Sequence, residues 1–242
     1  MHWILALVPL GASLACSPQA PARQLVPFPD PERWAEDLRI LDEQDAIEPP
    51  PLGGIVFVGS SSIRDWATLE ADMAPLTVVK RGFGGSTMED VRYHLHSLVL
   101  RHEPRAIVLY EGDNDIGFHG VAPSQVLASF QALTRDLHAG LPHLRAYVLS
   151  VKPSPLRWAD WPLMRETNAL LRRACEQDPR LAYVDVAATL LDPNEHPRVE
   201  LFAPDRLHLN PRGYAAWTAA LRPRLIASES RYENLPPRTP EP

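Results

Sequence analysis

Cysteine is nearly missing from this chain. Cys16 and Cys175 are the only two in 242 residues, so no disulfide framework holds it together. If Cys16 is removed or modified no disulfide can form at all, and the fold must stand on its core. Cys175 falls on a helical stretch and reads as a small buried hydrophobe. Clusters of Lys or Arg are also missing, and the formal net charge is -6, so a nucleic-acid partner lacks its usual electrostatic footprint. The apolar run Trp3 to Leu14 is too short to span a bilayer as a helix. No internal repeat is visible.

Proline, by contrast, is abundant. There are 26 in all, and they are densest in 18–31, 49–51 and 236–242, which read as linkers or tails because proline removes a backbone donor. Between them, 45% hydrophobic content is ample for one core. The expected organisation is a segment 1–16, a Pro-rich linker 17–30, one domain over 31–226 and a Pro-rich tail over 227–242.

Short apolar runs predict five strands, at Ile55–Val58, Thr77–Val79, Ala106–Tyr110, Ala146–Val151 and Leu181–Val186. Helical spacing predicts helices over Pro31–Ile47, Met88–Leu100, Pro123–Leu137 and Leu163–Cys175, with Trp66 and Leu69 on another. Asn210-Pro211 supplies an N-cap and a first-turn proline for a last helix carrying Tyr214, Trp217 and Leu221. Strands alternating with helices predict an α/β fold with a five-stranded parallel sheet covered on both faces.

The strand ends carry the chemistry. Strand one ends in Gly59-Ser60-Ser61-Ser62, strand two in the loop Lys80-Arg81-Gly82-Phe83-Gly84-Gly85-Ser86-Thr87, and strand three in Glu111-Gly112-Asp113-Asn114-Asp115. Pro204-Asp205-Arg206-Leu207-His208 follows strand five. Taken alone, the serines also read as helix caps. In a parallel sheet, however, all these segments emerge on one edge. A serine, exposed amides, a carboxamide, a carboxylate and an imidazole then converge, the inventory of a serine hydrolase.

Those four segments, in that order over residues 53–226, resemble the SGNH (GDSL-like) hydrolase superfamily. The resemblance implies a flavodoxin-like three-layer α/β/α fold and ester hydrolysis without a metal or other cofactor. It implies Ser61 as nucleophile, His208 as general base and Asp205 as the group orienting the imidazole. The implied oxyanion hole is the N–H groups of Ser61 and Gly85 with the Asn114 side-chain amide. Ser60 stands where the family usually has Asp, and Lys80 where many relatives have Asn. Ser62 stays open as a second candidate nucleophile, since sequence does not fix where a strained turn points its hydroxyl.

Other constellations weigh less. Asp113-Asn114-Asp115 also reads as an Asx turn. It fails as a calcium loop, because Phe118 and Ser124 stand where Gly and Glu belong. His94 and His96 are two apart on a helix and do not face each other. Ile63 occupies the final glycine of a Gly-x-Ser-x-Gly elbow, which argues against the larger α/β-hydrolase fold. After strand four, Trp158 and Trp161 either wall an acyl or sugar pocket or pack under a long loop. Arg157 either binds an anionic substrate or is a solvated surface group.

At the amino terminus, Trp3–Leu14 followed by Ser13-Leu14-Ala15-Cys16 resembles a bacterial lipoprotein signal. That resemblance implies export to the periplasm or a membrane-anchored lipoprotein tethered through Cys16. Two readings of function follow. One is an exported serine esterase acting on acetylated carbohydrate, short acyl esters or lysophospholipids. The other is a non-catalytic envelope module that binds a glycan or lipid on the same fold.

Overall fold

The computed structural model describes residues 27–233. The signal-like segment 1–16, with Cys16, lies outside the described residues, as do most of the linker and residues 234–242. Strands β1 (Ile55–Gly59), β2 (Val78–Gly82), β3 (Ala106–Tyr110), β4 (Arg145–Leu149) and β5 (Leu181–Val184) form one sheet. All pairs are parallel, in the order β2-β1-β3-β4-β5. The helices are α1 (Ala35–Ile47), α2 (Ser61–Arg64), α3 (Leu69–Met73), α4 (Met88–Tyr93), α5 (Leu95–Leu98), α6 (Asp113–Gly117), α7 (Pro123–Gly140), α8 (Trp161–Glu176) and α9 (Pro211–Glu229). This is the α/β arrangement expected from the sequence.

Alternation along each strand builds two cores. Val56, Val58, Ile107, Leu109, Ala146 and Val148 face α4, α5, α7 and α8. Ile55, Phe57, Val108, Tyr110, Tyr147 and Leu149 face α2, α3 and α9. Successive side chains point to opposite faces, so strands apolar at every position require a layer on each side. On the second face Trp66 and Trp217 are fully buried, and Trp66 stacks on Tyr214 with centroids 5.2 Å apart. Cys175 is buried in the first core as expected, and burial pushes its thiol up to about 12. No helix among the described residues is long and apolar enough to cross a membrane.

Three elements differ from expectation. The helix expected to carry Trp66 and Leu69 is divided: α2 ends at Arg64, Leu69 opens α3, and Trp66 lies on the stretch between them. Lys80, Arg81 and Gly82 belong to β2, paired with Phe57, Val58 and Gly59, and not to the loop after it. Arg81 is tolerated inside because Asp45 on α1 accepts from its NH2 at 2.5 Å and His102 from its Nε at 3.1 Å. The predicted helix Met88–Leu100 breaks at His94, which ends α4 and precedes α5. There the Ser97 hydroxyl donates to the His94 carbonyl, a side-chain bond that competes with regular helical pairing.

The end of α9 and the residues just after it are anchored at the opposite edge of the sheet from the serines. Helix α9 continues to Glu229, three residues past the 226 boundary read from the sequence. Glu229 is fully buried and accepts from Arg145 Nε and NH2 at 2.7 and 2.6 Å and from the Tyr147 hydroxyl at 2.7 Å. Glu233 accepts from the Thr77 N–H and hydroxyl and from Arg105. A buried ion pair is costly to break because the surviving charge is left without a partner. A chain ending at Ile226 is therefore expected to lose about 3–5 kcal/mol of stability, read as a lower urea midpoint. An unchanged midpoint would show these carboxylates to be dispensable.

Candidate active site

Because the strands run one way, their carboxyl ends share an edge. The order 2-1-3-4-5 reverses between β1 and β3, and chains leaving those strands diverge to open a crevice. At its floor, β1 turns into α2 with no room for side chains. Gly59 has φ +150°, and a Cβ there would overlap the Tyr110 carbonyl oxygen; one on Gly82 would overlap the Arg64 backbone nitrogen. Helix α2 consequently starts directly at the strand end. Ser60 is its N-cap by backbone but makes no side-chain cap bond, so the capping reading of the serines does not describe it. Ser61 opens the helix and is partly exposed, with an N–H that has no intrahelical acceptor. Ser62 is 1% exposed, and its carbonyl accepts from the Tyr214 hydroxyl at 3.1 Å.

The loop before α9 brings an imidazole to Ser61. Asn210 caps α9 by accepting from the Arg212 and Gly213 N–H groups. Its amide also donates to the carbonyls of Glu200 and Phe202 at 2.9 and 3.0 Å. One side chain thus joins the helix to the loop. Within that loop, Asp205 Oδ1 accepts from the Leu207 and His208 N–H groups at 2.9 and 3.0 Å, and Arg206 takes the left-handed φ of +61° that the tight turn needs. Asp205 Oδ2 then lies 2.6 Å from His208 Nδ1, and His208 Nε2 lies 2.9 Å from Ser61 Oγ. Burial opposes ionisation of Asp205, but the ring and the two backbone N–H groups together outweigh it and hold the carboxyl at about 2. An ionised Asp205 accepts a hydrogen bond from the Nδ1–H, which leaves Nε2 as the acceptor for the Ser61 hydroxyl.

Gly85 and Asn114 meet across the crevice. A Cβ on Gly85 would stand 3.9 Å from the Asn114 amide nitrogen, and that nitrogen donates one N–H to the Ser86 carbonyl at 2.9 Å. A carboxamide has two N–H groups, so one stays available to a ligand. The glycine loop is braced from below. The Ser86 hydroxyl donates to Glu111 at 2.6 Å, while Asp115 accepts from the Met88 and Gly112 N–H groups at 3.2 and 3.1 Å. Burial raises both acids, Glu111 well above the usual carboxylate range and Asp115 to about 7. From above, Trp34 meets Phe83 edge to face, with centroids 5.8 Å apart.

Not every residue singled out in the sequence reaches this crevice. Trp161 is 8% exposed, packs into the core and stacks on Trp158 at 6.1 Å. It also lines a cleft of about 460 Å³ with Asn168, Tyr183 and Asp185, whose lining includes none of Ser61, Gly85, Asn114 or His208. Its side chain is committed to packing. Trp158 keeps some exposed surface and lies 5.8 Å from His196. Arg157 is not a solvated group but a clamp on Asp113 and Asn114. Arg157 and the buried Lys152 carry no motif; only their place after strand four could have flagged them. Among the described residues no three His, Cys, Asp or Glu side chains are arranged to hold a metal ion.

Comparison with known proteins shows the family and the fold. The family model described as GDSL-like Lipase/Acylhydrolase matches residues 53–216. A GDSL-like lipase from Bacteroides thetaiotaomicron superposes with a TM-score of 0.64 at 16% identity, over 82% of this chain and 98% of its own. A family 3 carbohydrate esterase from Clostridium thermocellum gives 0.59 at 17% identity, over 74% and 98%. A Streptococcus pneumonia protein described as a candidate platelet activating factor gives 0.70 at 21% identity, over 80% and 93%. These likenesses show the fold. Among curated protein sequences none matches the chain.

The Asp205 geometry makes its own prediction. A carboxyl depressed from 3.8 to about 2 contributes stability that is complete above pH 3.8 and lost as pH falls through about 2. Carbon-13 NMR of the Asp205 carboxyl should show its midpoint near that value. His208→Ala, which removes the ring donor, should raise the midpoint toward 3.8. A midpoint indifferent to the substitution would contradict the pairing.

Proposed function

Since this chain belongs to the GDSL-like lipase/acylhydrolase family, we propose that it is a serine esterase that works through an acyl-enzyme at Ser61. The observation that carries this reading is the unbroken hydrogen-bonded line from Ser61 Oγ through His208 to Asp205, with contacts of 2.9 and 2.6 Å. A serine hydroxyl is a weak nucleophile until a neighbouring base takes its proton. His208 Nε2 is in place to take it as Oγ attacks an ester carbonyl, and Asp205 stabilises the imidazolium that forms. The carbonyl oxygen, now an oxyanion, is received by the N–H groups of Ser61 and Gly85 and the spare N–H of Asn114. Fixed donors of this kind strengthen as charge develops, and each is typically worth about 10²–10³ in kcat. His208 then protonates the departing alcohol. Water, deprotonated by the same nitrogen, releases the acid and restores Ser61.

Ser62 is the weaker nucleophile in this account, because it is buried and His208 is bonded to its neighbour. As substrates we propose acetylated carbohydrate, short acyl esters or lysophospholipids, a range supported by the carbohydrate esterase and lipase among the structural neighbours. We further propose that the protein acts outside the cytoplasm of a bacterium, tethered through a lipidated Cys16. An intact Met1 in mass spectra of the mature protein would contradict that export.

Hydrolysis of p-nitrophenyl acetate, butyrate and octanoate tests the reaction. Ser61→Ala should lower kcat by at least about 10³-fold while the protein stays folded, and Ser62→Ala should retain most of the activity. Loss confined to Ser62→Ala would move the nucleophile by one residue. A folded protein inert toward every ester would favour a glycan- or lipid-binding module.

A further inference from the structure

Behind the Asn114 carboxamide lies a charge arrangement that the triad does not use. Asp113 is buried between two cations. Lys152 Nζ pairs with its Oδ2, and Arg157 NH1 donates to its Oδ1 at 2.5 Å and to its carbonyl at 3.1 Å. The Tyr110 hydroxyl adds a contact at 3.3 Å. Arg157 is 11% exposed and Lys152 1%, so one carboxylate faces two largely desolvated positive charges. Arg157 spends its other nitrogen on the site, where NH2 donates to Asn114 Oδ1 at 3.1 Å. Its stem reaches that position by passing over Gly117, where a Cβ would overlap Arg157 Cδ.

Both ends of the Asn114 amide are therefore held, its oxygen by Arg157 and one N–H by the Ser86 carbonyl. The second N–H is left with a single direction. A guanidinium on the carbonyl oxygen also draws electron density from the nitrogen and makes its N–H groups stronger donors. Resting on the esterase reading above, we infer that Arg157 is a positioning residue which orients and polarises the Asn114 carboxamide for the oxyanion, and that it does not bind substrate itself. An interaction that strengthens only as the oxyanion gains charge appears in kcat and not in KM. A guanidinium that bound an anionic substrate would instead appear in KM.

A double-mutant cycle on p-nitrophenyl acetate tests this, using the full chain as wild type, Arg157→Gln, Asn114→Ala and the pair, each checked for folding by thermal melting. Arg157→Gln should lower kcat by about 10- to 100-fold with little change in KM. In the Asn114→Ala background the same change should cost less than about threefold, since neighbours acting through one group are not additive. Arg157→Lys, the variant that keeps the charge should Arg157→Gln fail to fold, ought to recover part of kcat but not all, because lysine lacks the fork that spans Asp113 and Asn114. Equal losses in both backgrounds, or a loss carried by KM, would overturn the proposal. A readout independent of turnover separates it from the esterase reading. The Asn114 side-chain ¹⁵N–¹H₂ pair, identified by its disappearance in Asn114→Ala, should shift in Arg157→Gln. If wild type shows no turnover that depends on Ser61 although this pair shifts, the esterase reading fails; if turnover is normal and the pair does not move, the Arg157 inference fails.

Discussion

At the end of β1 the chain turns within van der Waals reach of both neighbouring strands. Gly59 backs onto the Tyr110 carbonyl of β3, and Gly82 of β2 backs onto the first turn of α2. Any side chain at either glycine would lift that turn off the sheet. The position of Ser61 depends on this contact, and so does its distance to His208, which arrives from a loop 147 residues further along the chain. A hydrogen bond weakens within a fraction of an ångström, so a site assembled from such distant segments needs backbones that cannot drift. The parallel sheet supplies that rigidity, and the reversal of strand order between β1 and β3 supplies the opening.

Around this turn the molecule buries an unusual amount of ionisable chemistry. Glu111, Asp113, Asp115 and Lys152 are all at most 3% exposed. Each is tied to an element of the crevice: Glu111 to the glycine loop through Ser86, Asp115 to Met88 and Gly112, Asp113 to the cations behind Asn114. Desolvating charges costs several kcal/mol per ion unless they are paired and hydrogen-bonded. Most of these groups are satisfied by partners that also orient the candidate oxyanion donors. Stability and site geometry then come from the same contacts. The opposite edge follows the same logic with Glu229, where one buried carboxylate joins α9 to β4.

Much of this was legible from residue order. The five strands read as apolar runs because both faces of the sheet are covered, and continuous burial leaves a strong signature. The serine, glycine, asparagine and Asp-x-x-His segments read as a site because a parallel sheet must deliver all strand ends to one edge. What stayed hidden depends on contacts between distant residues. Nothing local says that Arg81 continues β2 by pairing with Asp45, or that Arg157 turns inward. A lone arginine beside two tryptophans looks like a surface loop, and only the buried Asp113 explains its direction. Trp161 was ambiguous for a related reason. Aromatic residues serve cores and pockets equally well, and Trp161, at the start of α8, packs in the core and stacks on Trp158.

Trapping is the most direct test of Ser61 as the residue that carries the acyl group. The protein would be treated with diethyl p-nitrophenyl phosphate, which transfers its phosphoryl group to an activated serine, and then mapped by peptide mass spectrometry. One diethylphosphoryl group per chain is expected, on Ser61, with little labelling once His208 is replaced by alanine. Label on another residue, or labelling that ignores the loss of His208, would contradict it.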